Sequence, residues 1–255
     1  KSLPDLPILP FALTALLIAR FRRQISSAAI LLLCPILLHL AYVLWAGGDH
    51  IPAGRMLLIL LAPLALLTFS TSITLPKAQA QTLCVLAAIA TLFSGALKPA
   101  QTMDDAAFVG KLVGDHIAET WPQEITIALN TAGTTPYYAR QGRRFIDMLG
   151  LNDPTIAKRN DTPMLTEVQN WPGHTKGDGA YVLSRKPDRI IAGPAEGRDI
   201  ALSWFLSGAE MNQIPEFHTC YTKQVEEIPY SQAFAAKGPS RPNPLQFTYY
   251  LRTCD

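Results

Sequence analysis

The chain has no GxGxxG fingerprint and no P-loop, so the common glycine-rich cradles for a nucleotide phosphate are missing and direct nucleotide binding has no support. It has no CxxC pair and no His/Cys spacing suited to zinc, so neither a metal nor another cofactor is expected in these residues. No basic stripe interleaved with aromatics runs along it. With 22 Lys and Arg against 20 Asp and Glu, the net charge is only +2, and a nucleic-acid partner is not expected. Internal repeats and low-complexity tracts are absent too, which sets aside stacked-repeat architectures. There is no initiating Met and no signal-peptide layout. The chain opens at Lys1 in what reads as the end of an apolar segment, so it is expected to be a fragment of a longer or processed membrane protein.

Charge is nearly missing from residues 1–98, which are mostly Leu, Ala, Ile and Val, whereas residues 99–255 have an ordinary mix of charges, prolines and glycines. Ile25 to Trp45 would reach roughly 30 Å as a helix, the thickness of a bilayer core. Met56 to Leu75 reads as a second span, Thr82 to Leu97 as a shorter third, and Leu6 to Ala19, with its two prolines, as a fourth. The expected fold class is therefore an α-helical transmembrane region of about four helices followed by a small extracytoplasmic α/β domain. His39, halfway along a run, is expected to hydrogen-bond between helices, and Trp45 to anchor at an interface.

Arg20, Arg22 and Arg23 share one short connection, and Lys77 lies in the next connection on that side. Basic short loops mark the cytoplasm, which puts the loop after Trp45 and everything after Lys98 outside a multi-pass inner (plasma) membrane protein. Cys34 and Cys84 lie in apolar runs and are expected to be buried thiols. Cys220 and Cys254 fall on the exterior, where an oxidising compartment allows them to pair.

In the second region Ile125, Ile127 and Leu129 alternate as in a half-buried strand, with Gly133 permitting a turn after it. RRFIDMLG reads as a further strand. GDGAYVLSRKPDRIIAG reads as a short helix stopped at Pro187 and then a strand over Arg189 to Ala192. RDIALSWFLSGAEM fits either a helix or an aromatic insertion. A proline-rich loop then leads to an alternating strand in LQFTYYLR. Asp147 and Asp153 are expected to fix turns and cap a helix.

Three stretches, YVLWAGGDHIPAGRML, TAGTTPYYARQGRRFIDMLGLNDPTIAKR and HTKGDGAYVLSRKPDRII, together resemble the C-terminal half of polytopic GT-C glycosyltransferases. The likeness is nearest to the arabinofuranosyltransferases that place terminal β-(1→2) arabinofuranose on mycobacterial cell-wall arabinan, and to their bacterial relatives. The resemblance implies a polyprenyl-phosphate sugar donor and a cell-envelope polysaccharide acceptor, both used at the outer side of the bilayer. It also implies that the main catalytic acid lies in an external loop ahead of the matching stretches. His50 stands where relatives more often carry an aromatic.

Transfer from a sugar phosphate needs a base for the acceptor hydroxyl, donors for the departing phosphate, and a grip on the sugar hydroxyls. The GGDHIPAGR loop offers parts of each. Arg55 presents a rigid fork suited to phosphate. Asp49 can accept from sugar hydroxyls or act as a helper base, and His50 can donate to phosphate or acceptor. Gly47 and Gly48 let the backbone approach a sugar closely. The plainer alternative makes Arg55 a headgroup contact and Asp49 a helix cap. In NWPGHTKGD, Trp171, His174, Lys176 and Asp178 set an aromatic among polar groups, as in an acceptor groove, although a solvated turn has the same composition. A non-catalytic membrane protein whose exterior domain binds a glycan or a partner is the competing function.

Overall fold

The structure, a computed structural model, describes residues 27–46, 55–72, 76–79, 81–82, 85–86, 89 and 103–254 except 172. The chain divides into two compact units, Lys1–Ala100 and Gln101–Asp255.

In the first unit α1 covers Ser27–Trp45, a 3-10 helix covers Arg55–Leu60, and α2 continues over Leu61–Ser72. Their buried side chains are Ala29, Ile36 and Val43 on α1, and Leu57, Leu60, Leu64 and Leu67 on the following segment. Spacings of seven on one side, and of three and four on the other, place one narrow seam on each helix face, as in heptad packing. His39 Nε2 lies 2.7 Å from the Met56 carbonyl oxygen and ties the two segments together, in keeping with a histidine that bonds between helices. Trp45 is exposed.

The expected transmembrane region is corrected here: among the described residues, no helix is long and apolar enough to cross a membrane. The run from Ile25 becomes a 19-residue helix with Pro35 inside it, about 28 Å long at roughly 1.5 Å per residue, and the proline removes a helical hydrogen bond. The run from Met56 divides into six 3-10 residues and a 12-residue α-helix, so its α-helical part reaches only about 18 Å against the roughly 30 Å of a bilayer core. The run Leu6 to Ala19 lies outside the described residues, as does most of Thr82 to Leu97. Cys34 is exposed rather than buried, because the seam on α1 passes through Ile36 and leaves position 34 on another face. Cys84 lies outside the described residues.

The second unit is an α/β domain built on one mixed sheet of five strands, β1 (Thr126–Leu129), β2 (Arg144–Asp147), β3 (Arg189–Ile191), β4 (Tyr221–Ile228) and β5 (Leu245–Arg252), in the order β2-β1-β3-β5-β4. β1 pairs in parallel with β2 and β3, while β5 runs antiparallel to both β3 and β4. The pleat sends alternate side chains to opposite faces. Ile127, Leu129, Ile191 and Phe247 join one core, and Ala128, Ile146, Ile190 and Tyr250 join the other. β1 is therefore buried on both faces rather than half-buried, with Ile127, Ala128 and Leu129 all enclosed.

One face is covered by α3 (Asp105–Thr120), which starts at the cap Asp104, whose carboxylate accepts from the Ala106 N–H at 3.0 Å. Phe108, Val109, Leu112, Val113 and Ile117 form its inward stripe. The carbonyls at its far end are met by Arg143, whose guanidinium donates to Ile117 at 3.0 Å and to Trp121 at 2.5 Å, and also to Ala139 at 2.8 Å. The other face carries α5 (Pro154–Lys158), α6 (Gly179–Ser184), α7 (Leu206–Met211) and α8 (Pro215–Cys220), which contribute Ile156, Val182, Met211 and Phe217 to the second core. Asp153 caps α5 through the Thr155 and Ile156 amides, and Asp147 accepts from the Leu149 and Asn152 amides.

The crossover from β1 to β2 contains α4 (Thr134–Tyr138), held close to α3 by glycine. Gly133 adopts φ −96°, so that position makes no demand for a left-handed backbone. Gly114 does make a steric demand: a Cβ there would stand 2.7 Å from the Thr135 carbonyl oxygen and 2.7 Å from Tyr138 Cβ. Alanine is the better helix former at an open position, yet Gly114→Ala is expected to destabilise the domain by about 1–3 kcal/mol through overpacking. A denaturation midpoint unchanged or raised relative to the unsubstituted chain would show that the two helices can part freely.

Candidate functional site

A cleft of about 280 Å³ opens where the parallel strands end. β1 sends its connection toward β2, whereas the chain leaving β3 travels the other way, toward β4. Ligands of α/β sheets collect beyond the carboxyl ends of strands at such a reversal. The residues that follow the strands line the cleft: Asn130 and Thr131 after β1, Leu149 after β2, and Pro194, Ala195 and Glu196 after β3. The first turns of α3 add Asp105, Ala106 and Val109, and two loops add His174 and Phe205.

Asn130 is only 4% exposed. Its Oδ1 accepts the Gly193 N–H at 3.1 Å and fastens the ends of β1 and β3 together. That bond fixes which way the amide points, and its Nδ2 makes no hydrogen bond. A buried donor without an acceptor is costly and calls for an explanation.

The loop after β3 is held tightly. Gly193 has φ +98° and Gly197 φ +68°, both in the left-handed region that favours glycine. At Gly197 a Cβ would fall 1.8 Å from the Thr248 carbonyl oxygen. The Thr248 N–H donates to the Glu196 carbonyl at 2.8 Å and docks the loop on β5. Arg241 bridges the two acids of the cleft: its Nε donates to Asp105 Oδ1 at 2.8 Å, its Nη2 to Asp105 Oδ2, and its Nη1 reaches Glu196 Oε1 at 3.5 Å.

The opposite wall is aromatic. His174 and Phe205 stack with centroids 5.7 Å apart and planes 16° from parallel. Trp171 meets His174 edge-on at 6.0 Å, Trp204 meets Phe205 at 6.2 Å, and the Arg198 guanidinium covers Trp204 at 4.4 Å. Trp171 is 59% exposed and Trp204 37%.

The loop bearing His174 is organised from beneath by Gln169, which is 2% exposed. Its Oε1 accepts from the Leu165 and Thr166 amides, and its Nε2 donates to the Pro163 and Thr175 carbonyls. A side chain with all these bonds made holds the loop in one shape before any ligand arrives.

Of the residues singled out in the sequence, His174 lines the cleft and Trp171 packs on it. Lys176 and Asp178 are taken up by the fold. Lys176 Nζ donates to the Arg159 carbonyl, and Asp178 caps α6 through the Tyr181 N–H at 2.8 Å. Asp178 also borders a separate shallow depression with Thr155, Lys158 and Arg159, where Arg159 is paired with Glu210 at 2.8 Å. Gly47, Gly48, Asp49 and His50 lie outside the described residues, and Arg55 is described only as the first residue of its 3-10 helix. Cys220 and Cys254 form a disulfide with a Cα separation of 4.9 Å, inside the limit of about 7 Å beyond which a bond would need backbone movement. Among the described residues, no three His, Cys, Asp or Glu side chains gather as a metal site would require.

Sequence reasoning missed Asn130, Asp105, Glu196, Phe205 and Arg241. The signal for Asn130 was its position directly after the apolar run ITIAL, but only the strand order shows that this end of β1 borders a reversal.

Residues 100–241 match a family described as a domain of unknown function, DUF8728. The match covers more than half of the chain, and the chain belongs to that family. No curated protein and no solved structure matches it.

Proposed function

We propose that the chain is part of an extracytoplasmic glycosyltransferase that moves a sugar, arabinofuranose by resemblance, from a polyprenyl-phosphate donor to a cell-envelope glycan. In this reading the α/β domain receives the acceptor glycan. One observation carries it: the cleft joins the stacked rings of His174 and Phe205 to the carboxylates of Asp105 and Glu196. Sugars present C–H faces that pack on rings and hydroxyls that both donate and accept, so a saccharide uses every part of this lining. The disulfide between Cys220 and Cys254 supports an exterior, oxidising location. The stretches TAGTTPYYARQGRRFIDMLGLNDPTIAKR and HTKGDGAYVLSRKPDRII contribute β2, α6 and β3 to the domain, so the resemblance and the cleft share one scaffold.

The testing experiment is calorimetric titration of the full chain with a linear arabinan oligosaccharide. Saturable binding that weakens in His174→Ala is the expected result. Absence of binding across a range of cell-envelope oligosaccharides removes the acceptor role.

A further inference from the structure

We infer that β4 is an interface strand: two copies of this chain join β4 to β4, antiparallel, about a two-fold axis at Val225. The interface lies away from the cleft and does not depend on the acceptor reading.

Strand order leaves β4 at one end of the sheet. It is eight residues long, and every one of them pairs with β5 on one side. Among the described residues, no strand pairs with its other side. The direction of its backbone groups follows from β5. Thr248 and Arg252 donate their N–H groups to the Glu196 and Asp188 carbonyls, away from β4. Their partners on β4 are Val225 and Tyr221. Opposite residues in an antiparallel ladder either exchange both backbone bonds or turn both groups away from each other. Val225 therefore turns its N–H and C=O to the free side. Lys223 and Glu227, two positions to either side, do the same. An open row of this kind is a template for a further strand.

The side chains select the occupant. Lys223, Val225 and Glu227 share one face of the strand. Val225 is 54% exposed, and Glu227 is exposed beside it. Lys223 Nζ donates to Asp199 at 2.6 Å and has further N–H groups to give. An axis at Val225 sets Lys223 of each copy directly across from Glu227 of the other, on both sides of a central pair of valines. Opposite charges so placed stabilise a strand pair. The same residues exchange their outward backbone bonds, and a two-fold contact uses the one patch twice.

Register is fixed by the same charges. An axis at Lys223, Glu226 or Glu227 would set that residue against its own copy, like charge on like. An axis at Gln224 would leave Lys223 facing Val225 and Glu227 facing Tyr221. At Val225 the other face is also compatible: Glu226, held by His116 at 2.6 Å and Tyr249 at 2.5 Å, meets only the neutral Gln224 of the second copy. A second copy of this chain thus complements the strand at every charged position.

The experiment measures the mass of the full chain by light scattering over a concentration series, for the unaltered chain and for Val225→Pro and Glu227→Lys. Val225→Pro removes an N–H that faces the free side and keeps the ladder to β5, as edge strands tolerate. Glu227→Lys changes an exposed side chain and brings lysine against Lys223, so it decides the matter if the proline variant does not fold. The expected result is a concentration-dependent dimer of the unaltered chain, with a dissociation constant about tenfold or more higher in each variant. A chain that stays monomeric up to about 1 mM overturns the inference. So does an assembly whose dissociation constant is the same in a folded variant, because the copies then meet elsewhere.

Discussion

Replacing Cys220 by Ser is expected to lower the stability of the α/β domain by about 3–4 kcal/mol. The bridge closes a loop with a sequence separation of 34, and the chain-entropy relation for a loop of that size gives about 3.8 kcal/mol at 25 °C. The folded domain already brings the two ends together. Tyr221 pairs with Arg252 across β4 and β5, and the Thr253 N–H donates to the Cys220 carbonyl at 2.8 Å. Most of the stabilisation therefore comes from restricting the unfolded chain. For a domain of this size the loss corresponds to a melting temperature about 10 °C lower. Thermal melts of the unsubstituted chain and of Cys220→Ser, each with and without a thiol reductant, provide the measurement. The unsubstituted chain is expected to fall to the level of the variant when reduced, while the variant does not respond. Identical melts in all four conditions would mean that the cysteines do not pair in solution.

The second large effect is expected at the polar stretch between the apolar runs. If the proposed transfer holds, Arg55→Ala is expected to reduce it about tenfold or more, since a charge-assisted bond to phosphate is worth about 1.5–3 kcal/mol and strengthens as the phosphate departs. Lysine at this position is expected to rescue only part of the rate, because a point charge cannot reproduce the planar fork. Asp49→Asn is expected to impair turnover by weakening the grip on the sugar hydroxyls. The assay is transfer from a synthetic lipid-phosphate pentose to an oligosaccharide acceptor. Wild-type turnover by both variants would leave this stretch no part in donor binding. The prediction rests on the GGDHIPAGR resemblance and on the chemistry of these side chains.

Local chemistry made much of the α/β domain legible. The alternation of Ile127 and Leu129 marks β1, the Asp153-Pro154 pair opens α5, and Pro187 separates α6 from β3. RDIALSWFLSGAEM, which fitted either a helix or an insertion, contains both: a 3-10 turn over Ile200–Leu202, an aromatic corner at Trp204 and Phe205, then α7. The apolar runs misled for a physical reason. A hydropathy reading sums side chains and is blind to the backbone, which loses a hydrogen bond at Pro35 within α1 and changes from 3-10 to α geometry before α2. The cleft was legible only in part. Trp171 and His174 stood out as an aromatic and a polar group close together in sequence. Asn130, Glu196 and Arg241 come from segments as far as 111 positions apart (130 to 241), and the order β2-β1-β3-β5-β4 is what makes them neighbours. Lys176 and Asp178 looked equally functional in the sequence, but their partners, the Arg159 carbonyl and the Tyr181 amide, are backbone groups that no residue pattern displays.

The proposed function is transfer of a lipid-linked sugar to a glycan held in the cleft beyond the ends of β1 and β3. The most direct measurement gives the protein a synthetic polyprenyl-phosphate pentose and an arabinan oligosaccharide, scoring the acceptor's mass and the acceptor KM separately from the donor KM. The predicted result is an acceptor one pentose heavier, with Phe205→Leu raising the acceptor KM about tenfold and leaving the donor KM unchanged. An acceptor that gains no pentose, or a Phe205→Leu enzyme whose acceptor KM equals that of the wild type, would contradict it.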